Sequence, residues 1–222
     1  QNSVLDTAAN FLKLSDIDGF SLWTAADSSA TMGSSPKPLV ISPGWNMVSL
    51  PYAVGDGRKT TLFPHAVSEA FAYTGAYVVR EVLENGVGYW VRSVVKETTT
   101  VMGVSLSAMT IPVSAGWNMI GSISQAVPVL NIHSAPANLV VSKFFGYQGS
   151  YNITDTLRPG LAYWVKVASG GTLTLSGAAE SAGQQSANRI VIDPSITELP
   201  PAPPDRQSNG DHIAIPGEFS LE

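Results

Sequence analysis

The chain reads as an all-β protein built from one antiparallel unit used twice, followed by an extended C-terminal tail, and three observations lead there. Residues recur in a fixed order. Gly44-Trp45-Asn46-Met47-Val48-Ser49 returns as Gly116-Trp117-Asn118-Met119-Ile120-Gly121, shifted by 72 positions. Tyr73-Thr74-Gly75-Ala76-Tyr77 returns as Tyr147-Gln148-Gly149-Ser150-Tyr151, and Gly88-Tyr89-Trp90-Val91-Arg92 as Ala162-Tyr163-Trp164-Val165-Lys166, both shifted by 74. A duplication of this size is one supersecondary block used twice. No segment carries a sustained 3.6-residue apolar stripe, and the apolar runs are short and end at glycine or proline, as strands do.

Taken in order, residues 1–37 form a lead-in. Phe20, Leu22 and Thr24 alternate with Ser21, Trp23 and Ala25, which favours a strand. That strand either closes an upstream domain or adds to the repeat core. Ser28 to Pro38 is linker by composition. The first repeat spans 38–103. Leu39 to Ile41 and Trp45 to Leu50 read as strands about Pro43-Gly44, and Pro51 ends the second because proline cannot donate to a ladder. One helical turn fits within Thr61 to Val67. Ala70 to Tyr73 and Tyr77 to Val82 make a hairpin about Thr74-Gly75, and Tyr89 to Val95 and Thr98 to Met102 finish the unit. Residues 104–110 connect to the second repeat at 111–177. Each unit of ~70 residues is marginal alone, so the two are expected to pack as pseudo-symmetric halves sharing a core of repeated aromatics. Within 178–222, Ala178 to Asn188 is a small-polar linker. Arg189 to Asp193 has strand composition, and Leu199 to Pro204 is a stiff polyproline-type spacer.

Composition narrows the function classes. Charged residues are 13% of the chain, about half the roughly 25% of ordinary soluble domains. Ser, Thr, Ala and Gly take their place, as in secreted β-proteins. A net charge of -5 with 12 scattered basic residues argues against a nucleic-acid partner, since phosphate contacts by Lys and Arg supply most of that affinity. With no cysteine, disulfides, thiolate metal sites and cysteine nucleophiles are excluded together. No run approaches the ~18 apolar residues of a membrane-spanning helix. Gln1 is not an initiator methionine, which suggests a trimmed chain with neighbours on either side.

No catalytic constellation emerges. His65, His133 and His212 are the only imidazoles and stand in no metal-binding or triad spacing, so neither an enzyme nor a cofactor is expected. Asp16-Ile17-Asp18-Gly19 is a fragment of a calcium loop without the later bidentate Glu, and a plain turn explains it. Asn152-Ile153-Thr154 is a glycosylation sequon, idle in a bacterial source.

The aromatics are the remaining candidates. By strand parity Trp90 shares a face with Arg92, and Trp164 with Lys166. A face carrying a repeated cation is expected near the surface, where Trp90 and Trp164 would stack on a neutral sugar ring, with Tyr77 and Tyr151 beside them. The opposing reading has each tryptophan covered by a loop or the tail, with Arg92 and Lys166 reaching past it. Trp45 and Trp117 have apolar residues on both faces of their strands and are expected in the core. Tyr73, Tyr77, Tyr147 and Tyr151 flank hairpin turns, where cross-strand packing explains them as well as ligand contact does.

The set Gly-Trp-Asn, Tyr-x-Gly-x-Tyr and Gly-Tyr-Trp, taken twice over residues 38–177, resembles a tandem module near the C termini of large exported bacterial proteins. Ala162 departs from the glycine usual before Tyr-Trp. Pro216-Gly217-Glu218-Phe219-Ser220-Leu221-Glu222 resembles the opening strand of the type A sorting domain of the type IX secretion system. The resemblance implies export across an outer membrane, an extracellular or cell-surface location on a Gram-negative-type bacterium, and no chemistry. Two functions follow as expectations. One is a non-catalytic structural or attachment module that holds a neutral glycan or a cell-surface partner. The other is a self-assembling filament or adhesin subunit, joined by β-strand addition through Leu39 to Ile41, Arg189 to Asp193 or Ile213 to Ile215.

Overall fold

In a computed structural model of the chain, residues 34–177 and 198–204 are described. The first stretch of sheet contains β1 (Ser34–Ile41), β2 (Gly44–Ser49), β3 (Tyr52–Val54), β4 (Ala70–Tyr73), β5 (Tyr77–Arg80), β6 (Gly88–Ser93) and β7 (Glu97–Ser105), with the single helical turn α1 (Lys59–Leu62) between β3 and β4. The second contains β8 (Ala108–Val113), β9 (Gly116–Ile120), β10 (Val127–Pro128), β11 (His133–Ala135), β12 (Phe144–Tyr147), β13 (Tyr151–Thr154), β14 (Thr156–Leu157), β15 (Tyr163–Val167) and β16 (Gly171–Ser176), with a 3-10 turn at Val129–Asn131. The fold is all-β, and every strand pairing is antiparallel.

Two four-stranded sheets have orders β2-β6-β4-β5 and β9-β15-β12-β13, and two three-stranded sheets have orders β1-β7-β3 and β8-β16-β11. Several boundaries differ from the sequence expectation. β1 begins at Ser34, inside the expected linker, and includes Pro36 and Pro38. It lies at a sheet edge, the position where a strand tolerates residues without an N–H. The expected connector at 104–110 shrinks to Leu106 and Ser107, because β7 runs to Ser105 and β8 begins at Ala108. The expected strands at Phe20 to Thr24, Arg189 to Asp193 and Ile213 to Ile215 lie outside the described residues.

The repeated Gly-Trp-Asn is a turn device. Gly44 and Gly116 open β2 and β9 with φ of +94° each, a conformation costly for any residue with a Cβ. Two residues later an asparagine spans the turn. Asn46 Oδ1 accepts from the Ser42 N–H at 2.9 Å, while its Nδ2 donates to Ser42 O at 2.8 Å and Gly44 O at 2.9 Å. Asn118 repeats this with Ser114 N–H at 3.0 Å, Ser114 O at 2.7 Å and Gly116 O at 2.9 Å. The tyrosine of the third anchor pins a loop. Tyr89 Oη accepts from the Glu84 N–H at 2.8 Å, and Tyr163 Oη from the Arg158 N–H at 2.7 Å.

Apolar side chains gather in three places. Ile41, Val48, Leu50, Leu62, Tyr89 and Val91 belong to a core between the β1-β7-β3 and β2-β6-β4-β5 sheets. Ile111, Ile120, Phe144, Tyr163, Val165 and Leu173 belong to a second. The third unites Met47 and Trp90 with Met119, Phe145, Ala162 and Trp164, so it draws on both four-stranded sheets. Backbone also crosses here. Ser49 N–H donates to Gly160 O at 2.9 Å and Gly121 N–H to Gly86 O at 2.8 Å, with antiparallel bridges Val48–Leu161 and Val87–Ile120.

At this crossing, corresponding positions of the two repeats meet, and one member of each pair must lack a side chain. A Cβ on Gly88 would stand 2.7 Å from Ala162 Cβ and 2.7 Å from Met119 Cγ. A Cβ on Gly121 would stand 3.0 Å from Val87 O and 3.1 Å from Ser49 Cβ. The mismatches Gly88/Ala162 and Ser49/Gly121 in the repeat therefore have a steric cause: there is room for one small side chain, not two. Gly88→Ala should destabilise the protein by about 1–3 kcal/mol, the range for overpacking. Adding Ala162→Gly should return part of that loss in urea unfolding. Equal stability of the single and double variants would show that the two positions do not compete.

Candidate functional site

The face of the β2-β6-β4-β5 sheet turned away from the first core carries Trp45 and Met47 on β2, Phe71 and Tyr73 on β4, Tyr77 on β5, and Trp90 on β6. Register sets them side by side: Met47 is opposite Trp90, Trp45 opposite Arg92, Phe71 opposite Trp90 and Tyr73 opposite Tyr77. The other four-stranded sheet presents Trp117, Met119, Phe145, Tyr147, Tyr151 and Trp164 in the same way, with Trp164 opposite Met119 and Phe145, and Tyr147 opposite Tyr151.

The two closest ring contacts between the sheets involve corresponding residues, with Trp90–Tyr151 a third at 6.4 Å. Tyr73 meets Trp164 at 4.9 Å and 77°, and Tyr147 meets Trp90 at 4.8 Å and 82°. Within each sheet Trp45–Trp90 is 6.1 Å and Trp117–Trp164 is 6.2 Å, while Tyr73–Tyr77 and Tyr147–Tyr151 are both 5.4 Å. All are edge-to-face, which sets the positive rim of one ring against the negative face of another and adds about 0.5–1.5 kcal/mol per pair beyond burial.

Trp90 and Trp164 are 0% exposed, so the expected surface platform at these two rings is corrected. Strand parity assigns a residue to a face, but depth depends on its place along the strand. Trp90 lies mid-sheet beneath Tyr147, whereas Arg92, two residues on, is exposed. The expectation for Trp45 and Trp117 is corrected in the other direction, since both are only half-buried at the margin of the shared cluster. Burial leaves the Trp90 and Trp164 indole N–H groups without a hydrogen-bond partner among the described residues.

Over this aromatic junction lies the segment 198–204, Glu-Leu-Pro-Pro-Ala-Pro-Pro. Pro200 and Pro203 are buried, Pro201, Ala202 and Pro204 are half-buried, and Leu199 is 65% exposed. Two tyrosines at corresponding repeat positions grip consecutive carbonyls. Tyr77 Oη donates to Ala202 O at 2.5 Å, and Tyr151 Oη donates to Pro201 O. At the leading end Glu198 Oε1 accepts from Trp117 Nε1–H at 3.1 Å, and Oε2 pairs with Lys166 Nζ at 2.5 Å. Of the residues singled out in the sequence, Tyr77, Tyr151 and Lys166 thus converge on one segment, with Trp90 and Trp164 beneath the rings that hold it. Arg92 is exposed on β6, opposite Trp45. Trp117 and Glu198 were missed as contact residues, although Trp117 stands opposite Lys166 in the β9–β15 register and so was inferable once strand pairing was known.

The electrostatics favour this arrangement near neutral pH. The Lys166 ammonium and then the Trp117 N–H hold the Glu198 carboxyl below its ordinary range. Burial pushes the Tyr77 hydroxyl far above the usual tyrosine range, so it stays a neutral donor. Trp90 lies close enough to Tyr77 to oppose that rise slightly, yet its N–H is not aligned as a hydrogen bond.

Elsewhere the described residues offer less. His65 Nδ1 lies 2.9 Å from Glu97 Oε1, and Thr99 Oγ1 donates to the same oxygen at 3.2 Å. His133 lies in β11 opposite Thr174, and His212 and the Asp16-to-Gly19 turn lie outside the described residues. Among the described residues no three acids or histidines come together as a metal site, and no helix is long and apolar enough to cross a membrane. A cleft of about 610 Å³ opens beside the junction between the β4–β5 turn and β9, lined in part by Arg80, Glu84 and Met109. No protein-family model matches the chain, and no curated protein or solved structure matches it significantly.

A depressed carboxyl stabilises the contact above its free value, about 4.3 for glutamate, and that contribution disappears as pH falls through the lowered value. The Trp117 indole N–H resonance should therefore move on acidification below about pH 4, as Glu198 gains a proton and releases Lys166 and Trp117. In Glu198→Gln the same resonance should start near the acid-limb position and stay there. An identical titration in both proteins would contradict the assignment.

Proposed function

We propose that this chain is a non-catalytic structural and attachment module of an exported bacterial protein, whose doubled sheets hold the proline-rich segment that follows them and so fix where residues 205–222 depart. The carrying observation is the seating of Glu198 to Pro204 across both four-stranded sheets, with Tyr77 on one and Tyr151, Trp117 and Lys166 on the other. Tandem homologous units are a natural source of such a seat, because duplication supplies two tyrosines at matched positions. Placement outside the cell rests on the low charge and the resemblance of Pro216 to Glu222 to a type IX sorting segment.

A glycan partner stacked on Trp90 and Trp164 lacks support, since both rings are covered. Strand addition through Leu39 to Ile41 has an edge strand to work with, but Leu39 and Ile41 themselves face the first core. Pro36 and Pro38 on that edge oppose pairing with another strand.

The chain has no cysteine, so spin labels can be placed without background at Ser169→Cys, in the exposed β15–β16 turn, and Leu199→Cys, the exposed side chain of the seated segment. The distance distribution between them should be narrow, and should broaden in Tyr77→Phe/Tyr151→Phe, which removes both hydroxyl donors. A distribution equally broad in both proteins would contradict the holding role.

A further inference from the structure

The contacts over 198–204 have the form of a receptor site for a polyproline ligand. A polyproline helix turns once in three residues, makes no internal hydrogen bonds and leaves its carbonyls free to accept from outside. Pro200 and Pro203 are three apart and are the buried members of the segment, while Glu198 and Leu199 are exposed and Pro201, Ala202 and Pro204 half-buried. The two carbonyls between them, of Pro201 and Ala202, are the ones taken by Tyr151 and Tyr77. Stiff prolines against aromatic walls with hydroxyl donors to the backbone constitute one of the recurring modes of peptide recognition, because the ligand loses little entropy on binding. The two tyrosines occupy corresponding repeat positions and so read direction poorly. Glu198 supplies the direction, since Trp117 and Lys166 grip it at one end only.

Nothing in these contacts requires the ligand to belong to the same chain. Residues 178–197 join the last strand to the segment. Fully extended, a stretch of that length reaches roughly 70 Å, enough for the site of a neighbouring molecule. Within one chain the tether gives an effective concentration on the millimolar scale, so self-occupancy prevails in dilute protein, and exchange prevails where copies are crowded or the resident segment is weakened.

Resting on the reading of 198–204 as a held segment, we propose that the Tyr77–Tyr151–Trp117–Lys166 groove is a recognition site for acidic-led proline segments, and that its occupant in trans is Glu198–Pro204 of a second copy. Such exchange is a swap of identical elements and links one molecule to the next without altering either sheet body.

Complementation of two full-length variants tests this. One carries Glu198→Gln, Pro200→Gly and Pro203→Gly, leaving an intact groove and a defective segment. The other carries Tyr77→Phe, Tyr151→Phe and Lys166→Gln, leaving an intact segment and a defective groove. Each alone should sediment as a monomer and their mixture as a one-to-one complex, with the Trp117 indole resonance of the first variant moving toward its wild-type position. The synthetic peptide Glu-Leu-Pro-Pro-Ala-Pro-Pro should compete, and its Gln-led form should compete about fivefold less well, in line with one charge-assisted contact in a partly exposed setting. A mixture that stays monomeric at millimolar concentration, together with a peptide that leaves the Trp117 resonance of the first variant unmoved, would overturn the receptor assignment. A peptide that binds while the mixture stays monomeric would overturn exchange between copies. In either case a narrow spin-label distribution would leave the holding role standing.

Discussion

The structure depends on two indole rings with no access to water. Trp90 and Trp164 stand in the middle of facing sheets, each flanked by a tryptophan of its own sheet and capped by a tyrosine of the other. Each four-stranded sheet is thereby apolar on both faces, one turned to its own core and one to its partner. Either sheet alone would expose this second face, so the burial of each depends on the other. Two indole N–H groups are left without hydrogen-bond partners among the described residues. An unsatisfied buried donor costs about 1–3 kcal/mol, and the burial and edge-to-face contacts of rings this large offset that.

From this junction the site follows. Tyr73 and Tyr147 are used up as caps on the opposing tryptophans, and their hairpin partners Tyr77 and Tyr151 stand at the rim with the hydroxyls directed outward to the segment. Trp45 and Trp117 mark the shallower ends of the same face. The holding site is thus the exposed margin of the aromatic core, and its rigidity comes from the rings buried under it. The crossing of Gly88 against Ala162 and Ser49 against Gly121 fixes how closely the sheets approach, and that in turn sets the spacing of the two tyrosines.

Much of this was legible in the sequence. The duplicated anchors led to an all-β architecture and to both hairpins about Gly75 and Gly149. Short apolar runs ending at glycine or proline located most strands, because glycine and proline break the ladder. The depth of each ring was not legible. Parity put Trp90 with Arg92 on one face, correctly, but the register that lays Met47 beside Trp90 and Trp45 beside Arg92 is a long-range fact. The linker composition of Ser28 to Pro38 hid the start of β1, since proline at an edge strand resembles proline in a loop. Leu199 to Pro204 was readable as stiff and extended, and its stiffness is what suits it to a groove. That the groove lies on the same chain became visible only when the two repeats were placed face to face.

Hydrogen exchange of the tryptophan side chains tests the central claim most directly. Followed by NMR on the full chain, the indole N–H protons of Trp90 and Trp164 should exchange only through global unfolding, at matching rates, while those of Trp45 and Trp117 exchange faster through local motion at the rim. Rapid exchange at either Trp90 or Trp164 under native conditions would mean that the sheets do not close over these rings, and the account built on their burial would fail.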